Sequence, residues 1–122
     1  MTLSIHAQHQ FDDYALFSKT MDDLLSKYPE ISQCLYGRSK MEEFTNTYFD
    51  DSEVICKNPK LSRIKIQNLY KIVEQSDLSL FFFNPEFTEG YMATSKTISR
   101  AKNLEKDFLV IDYGAEVSKE IQ

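Results

Sequence analysis

Two basic residues flank a serine where the predicted second strand gives way to a helix. These residues are Arg38, Ser39 and Lys40. The first N–H groups of a helix have no partner inside the helix, and the helix dipole favours negative charge there, so basic side chains at this point suit a bound anion. The same residues are also ordinary as solvated loop charges. The segment is the best candidate for a phosphate site in the chain.

Several acidic residues and histidines elsewhere could also do chemistry. His9 follows the first predicted strand and could be a base or a phosphate contact, although an exposed loop histidine is the simpler interpretation. Asp12 and Asp13 could be paired carboxylates for acid–base work, but capping of the next helix also accounts for them. Glu42 lies in the first turn of a helix, where the dipole stabilises an acid. His6 has only His9 near it in sequence, so no metal site is predicted.

Aromatic residues near the fourth predicted strand indicate a contact surface. The run from Phe81 to Phe83 is typical of buried strand core. Phe87 lies in the loop that follows, at the end of the sheet where ligands bind, and Tyr91 and Met92 extend that surface. An apolar aromatic side chain in such a loop predicts contact with a partner protein or a base.

Alternating strands and helices must position these side chains. An apolar run, a polar loop with a glycine, a helical period and a second apolar run follow in order over residues 76–114. Such units form parallel sheets through right-handed crossovers. We therefore predict a three-layer α/β sandwich with five parallel strands in the order 3-2-1-4-5, and a site where loops 8–13, 84–90 and 37–40 meet. The predicted strands are residues 3–7, 31–36, 52–56, 78–83 and 108–113.

Composition narrows the class of protein. The 122 residues predict one domain over 1–114 and a polar tail over 115–122. The net charge of −5 disfavours nucleic acid, which requires a basic surface. No apolar run is long enough for a membrane span, and the first ten residues do not resemble a signal peptide. Cys34 and Cys56 fall in predicted strands as reduced thiols. These features predict the cytoplasm of a cell or of an infected host cell.

Short motifs carry a resemblance to a known family. Residues 7–14, AQHQFDDY, match the pattern G-S-R-x-F-x-D-Y in its second half, and residues 36–42, YGRSKME, match G-G-A-R-G-x-D at one glycine. Residues 67–68, QN, stand where an R-N pair is expected in the third helix, and residues 90–91, GY, where G-T follows the fourth strand. In these motifs and in the order of its elements, the chain resembles the SLOG superfamily, a Rossmann-like group that includes DprA-type proteins and the lonely-guy phosphoribohydrolases.

The resemblance implies a pocket for a nucleotide or a nucleotide-derived ligand. Two family glycines are replaced by Ala7 and Tyr36, and Tyr36 is expected to fill the volume that phosphate would enter. The chain has only three glycines, so the fold can persist while the family's chemistry is lost. Glu42 and Glu89 resemble the acids that family enzymes use near the scissile bond. The implied ligand-binding residues are Ala7, His9, Gly37, Arg38, Ser39, Lys40, Asn68 and Gly90.

These observations favour a non-catalytic binding or regulatory protein on a degenerate SLOG-like scaffold, with no cofactor. Such a pseudoenzyme would act on a host or cellular protein, or on a signalling nucleotide, and a phage modulator of a host or defence protein would have a sequence of this kind. The alternative is a nucleotide-processing enzyme, such as a nucleoside-monophosphate N-glycosidase or phosphoribohydrolase, that uses His9, Arg38 and Glu42. A third hypothesis is a structural subunit that forms a homodimer.

Overall fold

The computed structural model describes residues 1–37, 39–87 and 90–113, so the predicted tail at 115–122 lies outside it. Strands and helices alternate as predicted, and no helix of the described ranges is long and apolar enough to cross a membrane. The strands are β1 (Thr2–Ala7), β2 (Gln33–Tyr36), β3 (Ile55–Lys57), β4 (Leu78–Phe82) and β5 (Asp107–Ile111). The helices are α1 (Tyr14–Lys27), α2 (Ser39–Tyr48), α3 (Lys65–Gln75) and α4 (Tyr91–Asn103).

All five strands run parallel in one sheet with the order β3-β2-β1-β4-β5. The predicted three-layer, Rossmann-like α/β fold is therefore confirmed. β1 is central, and Leu3 lies opposite Cys34 of β2 and Leu78 of β4. Every residue of β1 after Thr2 is buried, as expected for a strand that is paired on both sides and covered on both faces.

Two predicted strands begin later than expected. β2 begins at Gln33 because the N–H of Ile31 still closes a turn at the end of α1, with a donor–acceptor distance of 3.2 Å. β3 begins at Ile55 because the hydroxyl of Ser52 accepts a hydrogen bond from the backbone two residues further on, at 3.1 Å. In both places a local turn holds residues that would otherwise extend the strand.

Different pairs of helices cover the two faces of the sheet. α1 and α2 pack on the face that carries Ile5 and Phe82, which belong to the larger hydrophobic cluster. α3 and α4 cover the opposite face through a smaller cluster that contains Val73, Phe81 and Ala101. Phe81 and Phe82 are both fully buried, so the predicted core role of these two residues is confirmed.

Polar side chains occupy part of the face under α3 and α4. The hydroxyl of Ser4 lies 2.8 Å from that of Ser79 and 3.2 Å from that of Ser76. Nε2 of His6 lies 2.9 Å from the Ser4 hydroxyl, and the His6 ring stacks on Phe81 with centroids 4.7 Å apart. Because buried polar groups need hydrogen bonds, this network gives His6 a structural role.

The two aspartates before α1 serve different elements. The side chain of Asp13 accepts from the N–H of Leu16 at 3.0 Å and caps α1, which confirms the capping interpretation for this residue. Asp12 instead accepts from Nζ of Lys40 at 3.0 Å, which links the β1–α1 loop to the start of α2.

The two cysteines lie opposite each other on β2 and β3, in the strands where they were predicted. Cys34 and Cys56 are register partners and both are free thiols joined by a hydrogen bond. That hydrogen bond and burial raise the pKa of Cys34, whereas the same bond lowers the pKa of Cys56. Cys56 is therefore the first of the two to ionise.

Candidate functional site

A groove of about 1260 Å³ opens at the carboxyl ends of β1 and β2. Residues 7–9 and Gly37, which end or follow these strands, form its floor. One wall is the first turn of α2, with Lys40 and Met41, and the other lies within residues 60–69, which lead into α3. Ligands of parallel α/β sheets bind at this end of the strands, so the groove is the candidate site.

Five of the predicted ligand-binding residues line this groove: Ala7, His9, Gly37, Lys40 and Asn68. Arg38 and the side chain of Ser39 lie outside the described residues. Gly90 caps α4 with a left-handed φ of 76°, which suits glycine, but it is not one of the residues that line the groove. Ala93, in the first turn of α4, lines it instead.

The groove is basic although the chain is acidic. Lys40, Lys60, Arg63 and Lys65 line it, and Glu43 is the one acid among its described lining residues. The whole chain carries a net charge of −5. A groove lined mainly by one sign of charge focuses the field and concentrates ligands of the opposite sign. The groove therefore suits an anion.

The basic side chains differ in how far they are already neutralised. Lys40 donates to Asp12, and this hydrogen bond and the carboxylate charge raise the pKa of Lys40. No described acid lies within ion-pair distance of Lys60, Arg63 or Lys65. None of these three residues was a predicted site residue, because they lie in and just after a loop without a periodic pattern.

The start of α3 lacks the groups that usually satisfy a helix N-terminus. Its N-cap residue is Ile64, which offers no side-chain hydrogen bond, and its first turn contains no acid. The first N–H groups of a helix are left without partners unless a side chain, water or a ligand accepts from them. At α3 the nearby charges are the cations Arg63 and Lys65, which the helix dipole disfavours. An anion at this point would accept hydrogen bonds from the first N–H groups of α3 and would neutralise the nearby cations.

Asn68 fixes the wall of the groove from within α3. Its Oδ1 accepts from the N–H of Leu61 at 2.7 Å and from the N–H of Ser62 at 3.3 Å. Nζ of Lys71 donates to the Leu61 carbonyl at 3.3 Å and supports the same segment. Asn68 thus holds the loop that carries Arg63, which is a positioning role that the sequence analysis did not anticipate.

Gly37 allows close packing between the end of β2 and α3. A Cβ on Gly37 would lie 2.8 Å from Cδ2 of Leu69, so the glycine lets α3 approach the end of β2.

Below this contact, a slot of about 10 Å³ lies beside the groove, between β1 and α4, and is lined in part by His6 and Thr94. Thr94 is only 4% exposed. A slot of this size accommodates about one water-sized polar group.

Tyr36 does not fill the groove, and that expectation is wrong. Tyr36 is 4% exposed and belongs to the hydrophobic cluster under α1 and α2, on the far side of the sheet from α3. Burial raises the pKa of its hydroxyl, which is hydrogen-bonded to Thr45 of α2. Neither Ala7 nor Tyr36 has a positive φ, so the missing glycines cause no backbone strain at these positions. The groove remains open.

A buried polar network ties the loops after β1 and β4 together. Oε1 of Gln8 accepts from the N–H of Asn84 at 2.5 Å and from the hydroxyl of Tyr113 at 2.9 Å. Nδ2 of Asn84 donates to the Tyr113 carbonyl at 2.7 Å, and Nε2 of Gln8 donates to the Phe87 carbonyl at 3.3 Å. These side chains fill the space between loops 8–13 and 84–90, where the site was expected. The groove consequently lies on the β2 side of β1.

The residues considered for catalysis are only partly brought together. His9 is exposed and lines the groove, whereas Glu42 is exposed on α2 and does not line it. Glu89 lies outside the described residues. Among the described residues, no group of three or more His, Cys, Asp or Glu side chains could hold a metal ion. The described lining supplies charge for binding an anion, and His9 and a single carboxyl group, Glu43, are its candidates for proton transfer.

The predicted partner-binding residues form a small apolar tip at the start of α4. Phe87 is 39% exposed and stacks on Tyr113, with ring centroids 5.7 Å apart. Met92 is 61% exposed. Tyr91 is half-buried because its ring packs against Phe83, with centroids 5.4 Å apart. The tip therefore presents Phe87 and Met92 more than Tyr91.

No protein-family model and no curated protein matches this chain. The SLOG resemblance stays a prediction from the motifs, and the proposals below rest on the geometry of the groove.

Proposed function

We propose that the chain is a non-catalytic binding protein whose groove holds a nucleotide-derived anion, on a degenerate SLOG-like scaffold. The observation that carries this proposal is the set of four cations around one groove in a chain of net charge −5. Three of them, Lys60, Arg63 and Lys65, have no described acid as a partner. Cations with no described acidic partner, beside a helix start that has no side-chain cap, form an arrangement that suits anion recognition.

The walls of the groove support a nucleotide in particular. Ala7, Met41, Ile66 and Leu69 supply apolar surface between the cations. Small-molecule sites combine such apolar lining with a few polar groups that fix orientation. The base and sugar of a nucleotide can pack on this apolar surface while its phosphate binds at a helix start. An inorganic anion would make no use of the apolar surface.

A binding role is favoured over turnover because, of the described residues considered for catalysis, His9 lines the groove and Glu42 does not. N-glycosidic hydrolysis needs an acid or base within hydrogen-bond reach of the reacting atoms. Glu42 is outside the lining and Glu43 is the one described acid within it. The apolar tip around Phe87 and Met92 provides a surface through which ligand binding can be communicated to a partner protein, in a cellular or a phage context.

The proposal is tested by thermal unfolding with AMP, GMP, CMP and UMP at millimolar concentration. A ligand at ten times its Kd stabilises the native state by about 1.4 kcal/mol, so at least one nucleotide should raise Tm by several degrees. The effect should shrink in Lys65→Gln and persist in Lys19→Gln, which removes an exposed lysine of α1 outside the groove. If no nucleotide raises Tm, the proposal is wrong. If the chain releases free adenine from AMP, as detected by chromatography, and Glu43→Gln abolishes this release, the enzyme hypothesis replaces the binding proposal.

A further inference from the structure

The groove has two cationic ends on opposite sides of the sheet. Lys40 lies in the first turn of α2, which shares a face of the sheet with α1. Lys60, Arg63 and Lys65 lie at the start of α3, which shares the other face with α4. Layers of secondary structure pack about 10 Å apart, so one phosphate group cannot contact both helix starts.

We propose that the ligand carries two separated anionic groups, one at each helix start. Its nucleoside part would lie between them on the apolar surface of Ala7, Met41, Ile66 and Leu69. This rests on the proposed function and specifies its ligand as a nucleotide with two separated phosphates, of the dinucleotide class. The α3 end is a second anion subsite, formed by Arg63 and Lys65 with Lys60 beside them, and nothing in the sequence motifs pointed to it.

The size of the groove agrees with a ligand larger than a mononucleotide. Its volume is about 1260 Å³. Pockets for single drug-sized ligands usually fall between about 300 and 1,000 Å³. The slot under Gly37 adds a place for about one water-sized polar group beside the buried residue Thr94. A ligand that reaches from α2 to α3 passes over this slot.

The charges of the α3 subsite also require an explanation that folding alone does not provide. Arg63 and Lys65 stand at a helix start that has neither a capping side chain nor an acid. Cations there oppose the helix dipole and cost stability. Asn68 holds the preceding loop in place with two hydrogen bonds, at 2.7 and 3.3 Å. The chain thus keeps an unfavourable cluster of exposed cations beside a loop whose backbone Asn68 holds in place, as expected when a phosphate neutralises them.

The test compares two linear dinucleotides that differ by a single phosphate. ApA has one internal phosphate, and pApA has the same phosphate and a second one at its 5′ end. Isothermal titration at constant salt should give pApA about tenfold tighter binding than ApA in the wild-type chain, because a charge-assisted contact contributes about that much. The same ratio should appear in Lys19→Gln.

Both cationic ends of the groove should be needed for the tenfold ratio of pApA to ApA affinity. It should fall towards one in Lys40→Gln and also in the double variant Arg63→Gln/Lys65→Gln, since each leaves a single anion subsite. The charge-preserving variant Arg63→Lys/Lys65→Arg should restore most of the ratio, and circular dichroism melts establish that each variant is folded. The loss of the ratio in a folded double variant, together with its recovery in the charge-preserving one, supports the second subsite.

Three results overturn the inference. They are equal binding of ApA and pApA by the wild-type chain, survival of the ratio in the double variant, and loss of the ratio in Lys19→Gln as well. In the first two cases the proposed function still stands if ApA or AMP binds in the groove. If neither dinucleotide nor any mononucleotide binds, the proposed function fails together with the inference.

Discussion

Replacing Asn68 with alanine tests whether one side chain holds the α3 wall of the groove. Oδ1 of Asn68 accepts from the N–H groups of Leu61 and Ser62 at 2.7 and 3.3 Å. Each such bond contributes about 0.5–1.5 kcal/mol net, and water can replace part of it at this half-buried site. We therefore expect Asn68→Ala to lower the free energy of unfolding by about 1–2 kcal/mol. That loss corresponds to a Tm decrease of roughly 5 °C.

The matched variant Asn68→Asp separates support of the loop from attraction of the ligand. Aspartate keeps an oxygen acceptor for both N–H groups, so the free energy of unfolding should stay within about 0.5 kcal/mol of wild type. It also places a negative charge near Lys60, Arg63 and Lys65. Anion affinity should fall although the fold is intact, because the added charge opposes the ligand and partly neutralises the cations.

Urea unfolding followed by far-ultraviolet circular dichroism measures the first effect, which suits a chain with no tryptophan. The Tm increase caused by AMP measures the second. The reasoning is refuted if Asn68→Ala unfolds at the same urea concentration as wild type. It is also refuted if Asn68→Asp loses as much stability as Asn68→Ala, because the oxygen acceptor would then not be the group that matters.

Three further predictions concern residues outside the α3 wall. Gln8→Leu removes the acceptor of the Asn84 N–H and one acceptor of the Tyr113 hydroxyl, so it should cost about 2–4 kcal/mol in urea unfolding, while Gln8→Glu should cost less. Gly37→Ala puts a methyl carbon 2.8 Å from a leucine methyl group on α3, so it should cost about 1 kcal/mol and weaken AMP binding. Because a thiolate is the nucleophile and the pKa of Cys56 is lowered, iodoacetamide should modify Cys56 before Cys34, with a half-maximal rate at lower pH than a free thiol. Equal rates at both thiols would contradict that order.

The fold was predictable because its signals are local and repeated. Apolar runs, helical spacing and short connections recur along the chain, and only one handedness of crossover joins parallel strands. The starts of β2 and β3 were misplaced where Ile31 and Ser52 make turn hydrogen bonds, since residue type alone does not say which partner a backbone group takes.

The site was predictable only where a motif marked it. Ala7, Gly37 and Lys40 follow predicted strands and do line the groove. Tyr36 was misplaced because a side chain at a strand end can point to either face, and its burial under α2 was decided by packing. The bond between Gln8 and Tyr113 joins residues 105 positions apart, and no sequence pattern links such a pair.

A chain with few glycines can still recognise phosphate if side chains supply the charge. In a glycine-rich cradle, backbone N–H groups approach the phosphate directly. Here Gly37 leaves room for Leu69, and the positive charge around the groove comes from lysine and arginine side chains. Contacts of this kind are exposed and screened by salt, whereas a backbone cradle is shielded. Nucleotide binding should therefore weaken steeply as salt rises, and Arg63→Gln/Lys65→Gln should flatten that dependence. Affinity that is constant from low to high salt would mean that these cations do not carry recognition.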